Sequence, residues 1–153
     1  MSSNTTNYQL LVDHGIKSVY LSNKMRHLPN FGRDWFDTTR PALQALGIKV
    51  YCPVELDRIF PCPIKDHGSQ EAWRHFMQRD LEVILQMKPD AILLGPQWVW
   101  SPGANIEAAV AAMVVGSRCY LHEAGGAIYQ IHITDPKVRF GLTLWDARSN
   151  SNG

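Results

Sequence analysis

Asp90-Ala91-Ile92-Leu93-Leu94-Gly95 and, a few residues on, Ser101-Pro102-Gly103-Ala104-Asn105-Ile106-Glu107 running into Ala108-Ala109-Val110-Ala111-Ala112-Met113 decide the fold. A short apolar run closed by glycine reads as a buried strand over Asp90 to Gly95, and the small-residue run as a helix over Asn105 to Val115. Between them a hydroxyl, a glycine and a carboxylate gather at one helix N-terminus. Free backbone N–H groups and the positive end of the helix dipole favour an anion such as phosphate there, and a glutamate one turn further in can face the same pocket.

The same alternation continues outward in both directions. Ser18-Val19-Tyr20-Leu21-Ser22 is short and β-prone, and Ile48-Lys49-Val50-Tyr51-Cys52 is a second strand stopped by Pro53. Arg33 to Leu46 carries Trp35, Phe36, Leu43 and Leu46 at helical spacing, with Gly47 as its stop and Pro41 expected to kink or divide it. Pro61 and Pro63 mark a long irregular connection after the second strand. The longest helix is expected over Ser69 to Lys88, with Ser69 as N-cap and Trp73, Phe76, Met77, Leu81, Ile84 and Leu85 along its apolar side. Asp90 reads as a turn or capping residue. Arg118-Cys119-Tyr120-Leu121 is a fourth strand, Ile128 to Ile133 alternates like a fifth, and Val138 to Trp145 reads equally as strand or irregular cover.

Strands alternating with helices predict an α/β fold: one doubly wound parallel sheet, flavodoxin- or Rossmann-like, of about five strands flanked by helices. The chain divides into a polar N-terminal tail (1–16), a domain over 17–148 and a disordered tail over 149–153. With 153 residues, 45% of them hydrophobic and 19% charged, it suits one domain with a real core. A formal net charge of +1 with scattered basic residues gives no footing for a nucleic-acid polymer. Cys52, Cys62 and Cys119 form no CxxC pair, so reduced thiols in the cytoplasm are expected, and no apolar stretch is long enough to span a membrane. His67, His75, His122 and His132 lack metal-ligand spacing, so no metal site is expected.

In an open parallel sheet, ligands collect beyond the carboxyl ends of the strands, where the winding reverses. Three loops qualify. Ser22 to Asn30 brings Lys24, Arg26 and His27; Pro96 to Gly103 brings Trp98, Trp100 and the Ser-Pro-Gly turn; the chain after Cys52 supplies a cover. Cations, aromatic plates and a helix N-terminus suit something anionic and flat, which describes a nucleotide.

Three of these segments, in this order, carry a resemblance: Ser18-Val19-Tyr20-Leu21-Ser22-Asn23-Lys24-Met25-Arg26, then Arg79-Asp80-Leu81 ahead of Asp90-Ala91-Ile92, then Ser101 to Glu107. Over about Lys17 to His122 the chain resembles the nucleoside 2-deoxyribosyltransferase-like superfamily. Within it, the chain is most similar to nucleoside 5'-monophosphate N-glycosidases of the hydroxymethyl-CMP hydrolase type and to small phage-associated proteins. The resemblance implies that Glu107 is the nucleophile, that Asp80 handles the proton of the departing base, and that Tyr20 belongs to the catalytic set and goes with a preference for 2'-deoxyribose. It also implies that Ser101 takes the place of an acid that binds the sugar 5'-hydroxyl in the transferases. A serine hydroxyl donates to a phosphate where an aspartate repels it. Arg26 matches the family's loop arginine that reaches the nucleotide, and Ser22, Asn23, Lys24, Trp98 and Gly103 complete the expected substrate-binding set, although the family's glycine-rich loop is here Ser22-Asn23-Lys24.

The function so implied is hydrolysis of the N-glycosidic bond of a nucleoside 5'-monophosphate, with a pyrimidine deoxynucleotide favoured, through a glycosyl-enzyme intermediate and without any cofactor. Deoxyribosyl transfer to another base and a non-catalytic nucleotide-binding or sensing module are the alternatives. A homodimer or larger homo-oligomer with shared active sites is implied as well. Plainer roles stand beside these: Glu107 complementing a helix dipole, Asp80 paired with a neighbouring arginine, Lys24 and Arg26 as solvated surface charges, and Trp98 as core or interface packing.

Overall fold

The computed structural model describes residues 3–132, with side chains from residue 7 onward. The elements run α1 (Ser3–Asp13), β1 (Ser18–Ser22), α2 (Arg33–Ala45), β2 (Lys49–Tyr51), α3 (Pro53–Ile59), α4 (Gln70–Met87), β3 (Ala91–Leu94), α5 (Pro102–Ala109), a π-helical extension (Val110–Val115), β4 (Arg118–His122) and β5 (Ile128–Ile131). The five strands form one sheet in the order β2-β1-β3-β4-β5. The first four are parallel and β5 is antiparallel to β4. The expected α/β fold is therefore present, with a hairpin rather than a crossover at its last edge. That hairpin turns through Gly125 and Gly126, where Glu123 N–H donates to Ala127 O. The expected strand end at Ile133, the segment 138–145 and the tail 149–153 lie outside the described residues.

Strand alternation decides what each face of the sheet presents. Val19 and Leu21 of β1 join Leu93 and Tyr120 on one face, under Tyr8 and Leu11 of α1 and Phe36 and Leu43 of α2. Tyr20 joins Ile92, Leu94, Cys119 and Leu121 on the other face, under Ile84 of α4 and Ala104, Ala108 and Ala111. Every residue of β3 is buried, as a central parallel strand covered on both sides must be. Each fully buried Leu or Ile contributes about 1.5–3 kcal/mol of hydrophobic stabilisation. The three alanines recur at helical spacing, and their small side chains let α5 lie close to β1 and β3.

Ser69 caps α4 as expected, its hydroxyl accepting from Ala72 N–H at 3.1 Å. Asp90, expected as a turn or capping residue, instead ties the start of β3 to β1, its carboxylate accepting from Lys17 and Ser18 N–H at 2.8 and 3.2 Å. Other expectations need correction. The segment read as a polar tail contains helix α1; among its described side chains, Tyr8 and Leu11 are buried. Pro53 opens α3 rather than a loop, because a proline at the first helical position lacks only an N–H that would be unpaired anyway. Pro41 does not divide α2, which runs through it; it and Asp37, whose carbonyl it deprives of a helical partner, are both exposed. The helix expected from Asn105 starts earlier, at Pro102 behind Ser101.

Candidate active site

The winding reverses between β1 and β3, which are neighbours although β2 lies between them in the chain. Their carboxyl ends mark the position at which open α/β sheets bind ligands. Tyr20 and Ser22 are two residues apart on β1 and so face the same way, toward α5. Glu107 of α5 meets both. Tyr20 Oη donates to Glu107 Oε2 at 2.6 Å, and Ser22 Oγ donates to Oε1 at 2.7 Å. Both donors are fully buried and Glu107 is 5% exposed.

Asp80 of α4 is buried beside them and hydrogen-bonds Glu107. Behind it stands Arg79, whose Nε and Nη2 donate to Asp80 Oδ1 at 3.0 and 2.8 Å. The same guanidinium reaches α3: Nη1 donates to Asp57 Oδ1 at 2.7 Å and to Phe60 O at 3.3 Å, and Nη2 to Pro53 O at 3.5 Å. Burial raises the proton affinity of Glu107 well above the usual carboxylic range, the Asp80 charge raises it further, and the Tyr20 and Ser22 hydrogen bonds oppose the rise. Burial also raises Asp80, with the Arg79 cation pulling it back. Tyr20 is held well above the ordinary phenol value, by burial first and then by Glu107. Burial alone would lower Arg79, but Asp80 and Asp57 more than restore its charge.

The three residues expected to be catalytic, Glu107, Asp80 and Tyr20, thus meet in one buried cluster. The expected substrate-binding residues divide. Ser22 turns inward and holds Glu107. Asn23 clasps the loop after β1 to the loop after β3: its Nδ2 donates to Gln97 Oε1 at 3.0 Å while Gln97 N–H donates to its Oδ1 at 2.9 Å. Gly95 is required beneath it, since a Cβ there would collide with the Asn23 amide carbon. Ser101 caps α5 by accepting from Ala104 N–H at 3.1 Å, which leaves its own O–H to donate elsewhere. Gly103 leaves room beside Met77, whose sulfur would lie 3.1 Å from a Cβ. Lys24 is half-buried, and exposed Arg26 donates to His67 O at 3.3 Å, tying the loop after β1 to the α3–α4 connection.

Trp98 is the member the structure places elsewhere. At 2% exposure it belongs to the core under Leu94 and Leu121, and the burial of its ring leaves no face open for stacking on a base. It also borders a hollow of about 510 Å³ beyond β3 and β4, together with Pro96, Val99, Leu121 and Gly125.

Asp57 and Gln97 went unassigned in the sequence, and Arg79 was met only as the neighbouring arginine that pairs with Asp80, a pairing the structure contains. The adjacency of Arg79 to Asp80 was a usable signal, a cation beside a candidate acid. Asp57 and Gln97 carried none, because their partners lie 22 and 74 residues away. Among the described residues no group of His, Cys, Asp and Glu is arranged to hold a metal ion, and no helix is long and apolar enough to cross a membrane.

A family model described as a domain of unknown function, DUF4406, matches residues 17–117, a span that includes Tyr20, Ser22, Asp80 and Glu107. No curated protein and no solved structure matches.

Proposed function

The chain belongs to the DUF4406 family, whose description leaves its activity open, and we propose that it is an N-glycosidase acting on a nucleoside 5'-monophosphate, in particular a pyrimidine deoxynucleotide. The observation that carries this reading is the carboxyl of Glu107, both oxygens held by Tyr20 and Ser22 and flanked by the second acid, Asp80, at the carboxyl end of β1.

Two carboxyls in contact share one proton, and the reaction uses that proton. When it moves to Asp80, Glu107 is left as a carboxylate. Its oxygen attacks the anomeric carbon as the bond to the base nitrogen breaks, and the base departs with the proton from Asp80. The product of this half is a glycosyl ester on Glu107. Water then attacks the same carbon, the ester bond breaks, and a water proton returns to the pair. The balance is nucleotide plus water to free base plus sugar 5-phosphate. The Tyr20 and Ser22 hydroxyls orient the attacking oxygens and stabilise the carboxylate as it is regenerated.

The phosphate is assigned to the Ser101 end of α5, where a free hydroxyl hydrogen adjoins the positive end of the helix. Lys24 and Arg26 lie on the neighbouring loop. The reading includes subunit pairing, with the exposed Met113 and Val114 as apolar surface for it; light scattering on the purified protein measures that directly. The deciding experiment is a chromatographic screen for free base released from ribo- and deoxynucleoside monophosphates and the matching nucleosides. Release from monophosphates, lost in Glu107→Ala, is the expected result. Release only when an acceptor base is added would make the protein a transferase, and ligand-raised melting temperatures with no release would make it a binding module.

A further inference from the structure

Arg79 has no donor left for a substrate. A guanidinium carries five N–H groups, and here all five are directed within the protein: two to Asp80, one to Asp57, one each to the carbonyls of Phe60 and Pro53. It also stacks over Phe76, 5.3 Å from the ring centre. A buried arginine beside a nucleotide site would ordinarily be read as a phosphate ligand. This one is spent on holding a carboxylate.

We propose that Arg79 is a positioning residue that fixes which of the two carboxyls holds their shared proton, pinning Asp80 as the anion and leaving the proton on Glu107, with α3 as its anchor through Asp57, Pro53 and Phe60. Two carboxylates in hydrogen-bond contact cannot both be ionised at low cost, so one proton lies between them. Asp80 Oδ1 accepts two hydrogen bonds from a cation, which are about twice as strong as neutral ones. Glu107 accepts only from two neutral hydroxyls. The asymmetry favours charge on Asp80. The charged and titratable groups facing the pair are Arg79 from α4, Asp57 from α3 and Tyr20 from β1. Asp57 opposes the assignment by its own charge, but it holds the guanidinium in place.

The consequence is a nucleophile kept neutral until something draws its proton to Asp80. Under the glycosidase reading, on which this step rests, a bound base ready to accept a proton from Asp80 does so. The unloaded protein then avoids carrying an unpaired charge on Glu107 in a dry site. A shift of α3 would release Arg79 and with it the bias.

The test is a carboxyl-carbon NMR titration from about pH 4 to 9 on the full chain with labelled Asp and Glu, comparing wild type, Arg79→Lys and Arg79→Met. Glu107→Gln and Asp80→Asn assign the two signals. The expected result is an Asp80 carbon that is ionised at neutral pH in wild type, while Glu107 titrates later. In Arg79→Met the Asp80 midpoint rises by at least about one pH unit, a tenfold gain in proton affinity. Arg79→Lys, which keeps the charge and loses the fork, falls between. Unchanged midpoints in the variants, or a wild-type proton on Asp80, overturn the inference. Should Arg79→Met not fold, the Lys variant decides alone. Base release over the same pH range is expected to move to higher pH in the variants. If wild type releases no base from any nucleotide, the glycosidase reading fails, while the titration still decides where the proton sits.

Discussion

Tyr20 and Glu107 are 87 residues apart in the chain and 2.6 Å apart across the face of the sheet. The phenol is fully buried, its proton affinity is raised by burial and by the carboxyl it serves, and it therefore remains a donor throughout the working range of pH. Tyr20→Phe removes this hydrogen bond with almost no change of shape. Base release should fall by about 10- to 100-fold, the effect of losing one 1.5–3 kcal/mol hydrogen bond to a charged group, while the far-ultraviolet circular dichroism stays unchanged. A rate equal to wild type would remove Tyr20 from the catalytic set.

Glu107→Gln should abolish turnover and stabilise the protein. The carboxyl's proton affinity is raised on folding, so the folded state holds a proton that the unfolded chain releases above about pH 4.3. Its favourable contribution is complete below that value and is lost as pH rises through the folded midpoint. Removing the titration should therefore raise Tm at pH 8, by about 2–4 °C for each kcal/mol relieved, with the advantage shrinking toward pH 4. Calorimetry at the two pH values checks it; a lower Tm at pH 8 would contradict the burial cost assigned to Glu107.

Ser101→Asp keeps the N-cap, since aspartate accepts from Ala104 N–H as serine does. The fold should be retained. The added charge should lower kcat/KM for monophosphates by at least about tenfold, or 1.4 kcal/mol of repulsion, and leave nucleosides little affected. An equal loss on both substrates would move the phosphate away from this helix end.

Trp98→Ala tests the correction to the expected stacking residue. A ring buried to 2% exposure costs about 3–5 kcal/mol when removed. Urea unfolding should show that loss with or without nucleotide. A change under about 1 kcal/mol together with a weakened nucleotide affinity would return Trp98 to the site.

His122 supplies an acid sensitivity independent of the carboxyl pair. The Trp35 indole N–H donates to His122 Nδ1 at 2.9 Å, and an indole cannot accept, so protonating that nitrogen breaks the bond. Burial lowers the proton affinity of His122 in the folded state. As pH falls through about 6.5 the unfolded chain takes up the proton first, and stability is lost from there down to the lower folded midpoint. In His122→Gln, whose amide oxygen can still accept from Trp35, Tm should fall less between about pH 6.5 and 5. Parallel curves for the two proteins would show that His122 titrates normally.

What the sequence determined by itself was everything that short-range physics controls. A short apolar run closed by glycine placed β3, because burial on both faces demands such a run whatever surrounds it, and β-prone or alternating stretches placed the others. Ser69 could be read as a cap because its partner is three residues away. Tertiary structure alone decided the rest. Whether Pro53 opens a helix, whether α1 exists, and whether Trp98 faces ligand or core depend on what packs against them, and no local pattern encodes that. The same holds for the contact between Glu107 and Asp80 and for the grip of Arg79 on Asp57. Charges on different helices acquire partners only when both helices cover one sheet face, and burial then forces them to share protons and hydrogen bonds that water would otherwise supply.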